Sequence, residues 1–345
     1  MKKYNFVTLL ALAIAPTLIY AESSTSNVVG YTTLNVRGKT GSANALSFIG
    51  LNLHRPSVFT GTINSKSVNG SGQSTLSFSS PNFIASQFIG AGNRHYIRIT
   101  SANANTGLIS EIVANDTASI TVADNLNAVI DANVSAVEIR PYWTLATAFP
   151  SGAGLKSGTS ASTADTLSIV DPTSGTVYSY FYSSSNNQWK RGNTDSSSIV
   201  IPPGSGILVT RRDVNPVSIV ITGEVIGTTI QADVAGGTAT SPKSTYVANP
   251  FPLASKTLAQ SGLYTGNPLT GVVGGTSAAT ADVVTIYDVS TGTGYAYYYN
   301  TSQSIWKRGN TDSSGIVIPD GAAVVITRQK TRGAFDWYIP SPVNL

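Results

Sequence analysis

The 345-residue chain contains no cysteine, one methionine and two histidines. Without cysteine there are no disulfide staples, no thiolate metal site and no thiol nucleophile. His54 and His95 stand 41 positions apart (95 − 54), with no acidic cluster beside either. A zinc site or a histidine-based metal centre is therefore not expected. The Gly-x-Ser-x-Gly elbow of serine hydrolases does not occur, and nothing specific supports a scattered Ser/His/Asp triad. Glutamate is rare after residue 22. No catalytic residue, metal or cofactor is expected from this inventory. Charge is scarce too: Asp, Glu, Lys and Arg make up 11% of the chain, against an ordinary quarter. There is no Lys/Arg cluster, so a nucleic-acid partner has no electrostatic footprint. Helical periodicity is nearly absent.

What is present begins with an export signal. Lys2 and Lys3 precede an apolar stretch from Phe6 to Ile19, and Ala21 suits the last residue before cleavage. The stretch is short for a membrane span and no stop-transfer pattern follows. Residues 1–21 are therefore expected to be a cleaved signal peptide, leaving no transmembrane span. The destination would be the periplasm, the outer surface or the extracellular space. Removing two lysines takes the basic count from 21 to 19 against 17 acids, a net charge of +2. A surface of Ser, Thr, Asn and Gly suits an exported β protein and offers few charges to oppose self-association.

The nine residues from Trp189 to Ser197 recur unchanged from Trp306 to Ser314, 117 positions later (306 − 189). At that offset Ala161–Arg212 aligns with Ala278–Gln329 without a gap, and about half the positions are identical. A period this long indicates duplicated domains rather than a solenoid. Ser/Thr-rich strand patterns alternate with turn signals throughout, which predicts an all-β chain of small sandwich-like or barrel-like units in tandem.

The sequence divides into an N-terminal β domain (22–140), a first β repeat (141–243) and a second β repeat (244–345), with Gly236–Lys243 as linker. Strands are expected at Gly30–Val36, Phe59–Ser65, Ser74–Phe78, Tyr96–Thr100, Leu108–Ala114, Ser119–Val122 and Ala136–Arg140. Short helices are expected at Asn125–Val134 and Ala254–Ser261. The runs Ile207-Leu208-Val209 and Val324-Val325-Ile326 do not alternate, so those strands should be covered on both faces. Pro202-Pro203-Gly204 and Pro319-Asp320-Gly321 read as turns. An outer-membrane barrel would need longer alternating strands, and a metal-binding jelly roll would need clustered histidines.

Three acids are duplicated: Asp165/Asp282, Asp171/Asp288 and Asp195/Asp312. Such pairs suit glycoside hydrolysis or calcium binding. Asp195 and Asp312, however, sit in Asn-Thr-Asp-Ser segments where a short acceptor bonds its own backbone. Tyr178, Tyr180 and Tyr182 share one strand face, near Trp189 and Arg191. The second copy repeats them as Tyr295, Tyr297, Tyr299, Trp306 and Arg308. Aromatic rings beside guanidinium groups make a contact surface for a sugar or a protein. Packing of the tyrosines on one sheet, with the tryptophans plugging the core, is the competing reading.

Together several motifs resemble a family. They are Val29-Gly30-Tyr31-Thr32-Thr33-Leu34, His54-Arg55-Pro56, Phe59-Thr60-Gly61-Thr62-Ile63, Tyr96–Ser101 and Arg140-Pro141-Tyr142-Trp143-Thr144-Leu145. Tyr178–Tyr182, Trp189, Ile201-Pro202-Pro203-Gly204-Ser205-Gly206 and Arg211-Arg212 follow. Their order is similar to that of uncharacterised secreted all-β proteins found mainly in Verrucomicrobia. The resemblance implies a Gram-negative exported protein with an all-β body and supplies no site residues. Asp320 and Ala322-Ala323 depart from the family block.

The expected function is that of an exported, non-enzymatic structural protein or a cell-surface or extracellular interaction protein. Self-association is the expected partnership. A carbohydrate-binding or adhesion module using the aromatic stripe is the alternative, with a surface glycan as partner.

Overall fold

The computed structural model describes residues 28–101, 105–171, 174–249, 256–288, 291–319 and 322–339. The expected signal peptide and part of the turn at Pro319-Asp320-Gly321 lie outside the described residues. The chain is all-β and multi-domain. It opens with β1 (Val29–Val36) and β2 (Ala45–Gly50). Seven strands follow: β3 (Phe59–Thr62), β4 (Ser65–Val68), β5 (Ser74–Ser77), β6 (His95–Ile99), β7 (Ile109–Asn115), β8 (Ser119–Val122) and β9 (Ala136–Pro141). Next come β10 (Trp143–Thr144), the single-turn helix α1 (Leu145–Ala148), β11 (Thr166–Val170), β12 (Val177–Ser183), β13 (Gln188–Arg191), β14 (Thr194–Asp195), β15 (Val200–Ile201), β16 (Gly206–Arg211) and β17 (Val217–Glu224). The last group is β18 (Ile230–Val234), β19 (Lys243–Ala248), β20 (Val283–Tyr287), β21 (Gly294–Asn300), β22 (Ile305–Arg308), β23 (Thr311–Asp312), β24 (Ala323–Arg328) and β25 (Phe335–Ile339).

Strands β3 to β9 form one sheet in the order β3-β9-β6-β7-β8-β5-β4. A register shift between Ile112 and Ala114 bends β7, and the sheet curls into a half-barrel. Its concave side holds Phe78, Phe83, Phe88, Ile97, Ile112 and Ile139 in one buried cluster. Asn125–Val134, expected as a helix, forms turns beneath this sheet, with Leu126 and Ile130 buried in the same cluster. Of Ala254–Ser261, only Leu258–Gln260 is helical among the described residues, as a 3-10 turn.

The two remaining large sheets run β14-β13-β12-β11-β16-β2 and β23-β22-β21-β20-β24-β19. The order is the same, so β2 corresponds to β19. Two ribbons match likewise: β1 pairs with β17, and β18 pairs with β25. The registers place Val36 opposite Val217 and Val234 opposite Phe335. Val36 thus corresponds to Val234, 198 positions on (234 − 36), whereas the β11 to β16 region corresponds at 117. The difference of 81 (198 − 117) is chain present only in the first unit, where the half-barrel stands between β2 and β10.

This pairing corrects the division read from the sequence. The boundary at 140 cuts β1 and β2 from the sheets they complete, and the boundary at 243 separates β18 from its partner β25. Gly236–Lys243 is not a linker. It is the loop from β18 to β19, and Gly236 and Gly237 lie so close to the Gln329–Ala334 backbone that neither has room for a Cβ. The crossing between units is Val225–Thr229. β2 itself carries no strand expectation in the sequence reading.

The two units pack through corresponding residues. Phe48 meets Tyr246 edge-on at 5.3 Å, and Gly50 lies against Ala248. Gly206 lies against Ala323, where a Cβ would stand 2.6 Å from the alanine methyl. Backbone bridges join Ile49 to Ala322 and Val247 to Ser205. Residues that touch their own counterparts mark a local two-fold axis, as in an isologous dimer interface. This explains the non-alternating runs: Ile207 and Val209 enter the core of their own unit, while Leu208 faces the other unit. Val324, Val325 and Ile326 divide the same way.

Each unit contains a buried aspartate paired with arginine at the corresponding place. Asp165 accepts hydrogen bonds from Arg211 Nη1 (2.5 Å) and from the backbone N–H groups of Lys156 (2.7 Å) and Arg212 (2.6 Å). Asp282 accepts from Arg328 Nη1 (2.6 Å), Arg332 Nη1 (2.6 Å), and the backbone of Val273 (2.8 Å) and Gln329 (2.9 Å). These duplicated acids therefore tie loops to strand ends. Removing one carboxylate strands a buried guanidinium, so Asp165→Asn and Asp282→Asn should each cost about 3–5 kcal/mol. Urea unfolding curves for the two variants check this, and a near-wild-type midpoint for either contradicts it.

Candidate functional site

The nine-residue repeat forms a strand and a tight turn. Gly192 and Gly309 take φ values of 61° and 59°, the left-handed region that suits glycine. The Trp189 N–H donates to Ser197 Oγ (3.2 Å) and the Trp306 N–H to Ser314 Oγ (3.1 Å). Asp195 and Asp312 accept from the backbone of Ser197 and Ser314, both at 2.9 Å, as the turn reading requires.

The aromatic stripe faces inward. Trp189 is 1% exposed and Trp306 is 2% exposed. The Trp189 indole donates to the Phe149 carbonyl at 3.0 Å. Tyr182 meets Trp189 edge-on at 5.6 Å, and Tyr299 meets Trp306 edge-on at 5.8 Å while stacking on Tyr264 at 3.5 Å. Tyr180 and Tyr297 are buried, and Tyr178 and Tyr295 are half-buried. Arg191 covers the Tyr178 ring at 4.4 Å, and Arg308 covers Tyr295 at 4.0 Å. The expected contact surface is thus mostly core, closed at its end by exposed guanidinium groups.

Tyr178 and Tyr180 nevertheless reach a cleft of about 470 Å³. Three parts of the fold build it. The half-barrel supplies Arg94, Glu111 on β7, Asp124 after β8, and Tyr142 follows β9. The first unit supplies Asp171, Ile199, Val200, Pro202 and Pro203, and β18 of the second unit supplies Gln231 and Asp233. Gln231 and Asp233 are two residues apart on a strand, so they share a face. Their partners across the ribbon are Tyr338 and Asp336.

The electrostatics of this cleft are unbalanced. Arg94 pairs with Glu111, and Ser110 Oγ donates to Asp124 at 2.5 Å. Asp233 faces Asp336 directly across the ribbon, a like-charge arrangement that disfavours the sheet. Its side chain opens to the cleft, yet surrounding protein, then Asp336 and then Asp124 push its pKa up to about 6. Burial raises Asp336 too, against a hydrogen bond from Gln231. Burial and then the Glu111 charge raise the Tyr142 phenol. Gln231 is 8% exposed, and its Oε1 is buried without a hydrogen-bond partner.

At the corresponding place in the other unit the space is filled. Asn35 stands where Asp233 would be, Phe48 stacks on Tyr287 at 3.8 Å, and the cavity there is about 10 Å³. The cleft exists on one side because only the first unit carries the half-barrel. Among the described residues no three His, Cys, Asp or Glu side chains come together as a metal site. Asp124, Gln231 and Asp233 have no prominence in the sequence, because they come from distant segments and no spacing links them.

No family model matches this chain, and no curated protein or solved structure matches it either.

The raised Asp233 pKa has a definite sign. A carboxyl with a higher pKa folded than unfolded favours folding at low pH, and that contribution is lost as pH rises through about 6. Asp233→Asn should therefore melt higher than wild type at pH 8, by about 2 °C, and melt equally at pH 4. Paired thermal scans at the two pH values check this. A difference that grows toward pH 4 contradicts it.

Proposed function

We propose that the protein is an exported, non-enzymatic structural or surface-interaction protein, part of an extracellular layer, fibre or matrix. The observation that carries this reading is the outward face of the β1–β17 ribbon. Val29, Tyr31, Thr33 and Asn35 alternate outward on one strand, with Ser218, Val220 and Thr222 on the other. Tyr31 is 75% exposed, Val29 68% and Val220 59%, and none of these seven side chains carries a charge. An uncharged, partly apolar sheet face supports association through a flat surface. The scarcity of charge over the whole chain supports the same reading. Among the described residues no helix is long and apolar enough to cross a membrane.

The carbohydrate alternative has less support, since Trp189, Trp306, Tyr180 and Tyr297 are buried and Arg191 and Arg308 cover the half-buried Tyr178 and Tyr295 rings. Sedimentation velocity across a concentration series tests the main reading. Self-association that weakens in Tyr31→Lys and Val220→Lys is expected. A strict monomer at high concentration contradicts it.

A further inference from the structure

We propose that the three-part cleft binds an organic cation with N–H donors: an ammonium or guanidinium group on an aliphatic stem. Four observations converge. First, charge is concentrated here in a chain that has little of it. Glu111, Asp124, Asp171 and Asp233 line the cleft, Asp336 stands behind Asp233, and Arg94 is paired with Glu111. An anion is disfavoured in such a place, and a cation relieves the Asp233–Asp336 repulsion.

Second, Gln231 is more than nine-tenths buried at the cleft wall, with its amide committed to Asp336 and its Oε1 unpartnered. A buried acceptor of this kind needs a donor, and an ammonium or guanidinium has several. Third, the walls are apolar between the acids. Ile109, Ile199, Val200, Pro202 and Pro203, with the Tyr178 ring, suit an alkyl stem. Arg191 over Tyr178 shows that this ring already accepts a guanidinium.

Fourth, the volume of about 470 Å³ lies within the range of small-ligand sites. The acids are spread around that volume and do not gather as metal ligands among the described residues, which favours an extended cation over a bare metal ion. The half-barrel is what makes the site, since the corresponding place in the other unit is closed by Phe48 and Tyr287. The binding is a property of one molecule and does not depend on the scaffold reading.

Isothermal titration calorimetry on the whole protein, at concentrations where sedimentation shows monomer, tests the proposal. The probes are spermidine, a capped Gly-Arg-Gly tripeptide, calcium chloride and glucose. Saturable binding of spermidine or the tripeptide is expected, falling with added salt and about tenfold weaker in Asp233→Asn. Gln231→Met should weaken it as well, with an unchanged circular dichroism spectrum as the check on folding. Asp213→Asn, in a bend outside the cleft, should bind as wild type does. Tighter binding of the tripeptide identifies a basic peptide segment as the source, and tighter binding of spermidine identifies a free polyamine. Binding of calcium or glucose alone, no binding of either cation, or binding unchanged in Asp233→Asn overturns the proposal. Failure here would leave the self-association test standing, and a monomeric protein that binds cations would overturn only the scaffold reading.

Discussion

β2 pairs with β16, and this one ladder sets the rest of the structure. Six residues, Ala45 to Gly50, complete a sheet whose other strands lie beyond residue 165. The same six present Phe48 and Gly50 to the second unit. If β2 belonged to the half-barrel, the first unit would have an open edge, and the local two-fold contact between units would lose half its surface. Because it belongs to the first unit, the half-barrel becomes an insertion with both ends anchored. The Trp143 indole donates to the Leu53 carbonyl at 2.8 Å, so the chain leaves and returns at neighbouring points.

A buried polar network fixes the insertion in place. Glu138 accepts from Arg98 (2.9 Å) and from Arg140 (2.6 and 2.9 Å), and Arg140 reaches Glu224 at 2.6 Å. Burial opposes charge on Glu138, but the two guanidinium groups hold its pKa below the usual range. Arg98 also donates to the Thr229 carbonyl at 3.0 Å, in the crossing between units. His54 bonds the Tyr96 hydroxyl at 2.7 Å. Burial, then Arg140 and Arg98, keeps its pKa well below the ordinary value. Half-barrel, first unit and crossing segment thus share one set of charges, and these pairings form together only when all three are docked. That docking holds the half-barrel against the first unit and sets the course of the chain into β18, whose Gln231 and Asp233 complete the acidic cleft.

Much of this was legible in the sequence. The turn spacing indicated the all-β class, and five of the seven half-barrel strands fall within a residue or two of the expected spans; the expected Phe59–Ser65 overruns β3 by three residues, and β4 was not expected. The continuous runs at Ile207 and Val324 pointed to two-sided burial. What escaped is instructive. β1 and β18 share only Val36/Val234 as an identity, and β2 and β19 share none. Ser47/Thr245, Phe48/Tyr246, Ile49/Val247 and Gly50/Ala248 keep size and polarity without identity, so the repeat seemed to begin downstream of its true start. Identity persists where geometry is unforgiving, as at Gly192 and Gly309, and decays where only volume matters. The stripe residues were located correctly on their strands, but strand periodicity cannot say which face meets the core. The cleft is assembled from three distant segments and left no trace in any local pattern.

The central claim is that residues 28–54 are structurally part of the unit formed by residues 142–224. The direct measurement compares two chains by circular dichroism and thermal melting. One is 142–224 alone. The other is 28–54 joined to 142–224 through a short glycine-rich link replacing 55–141. The account predicts that the joined chain is β-structured with a cooperative melt and that 142–224 alone is not. A cooperative fold of 142–224 alone, with no gain from 28–54, would contradict it.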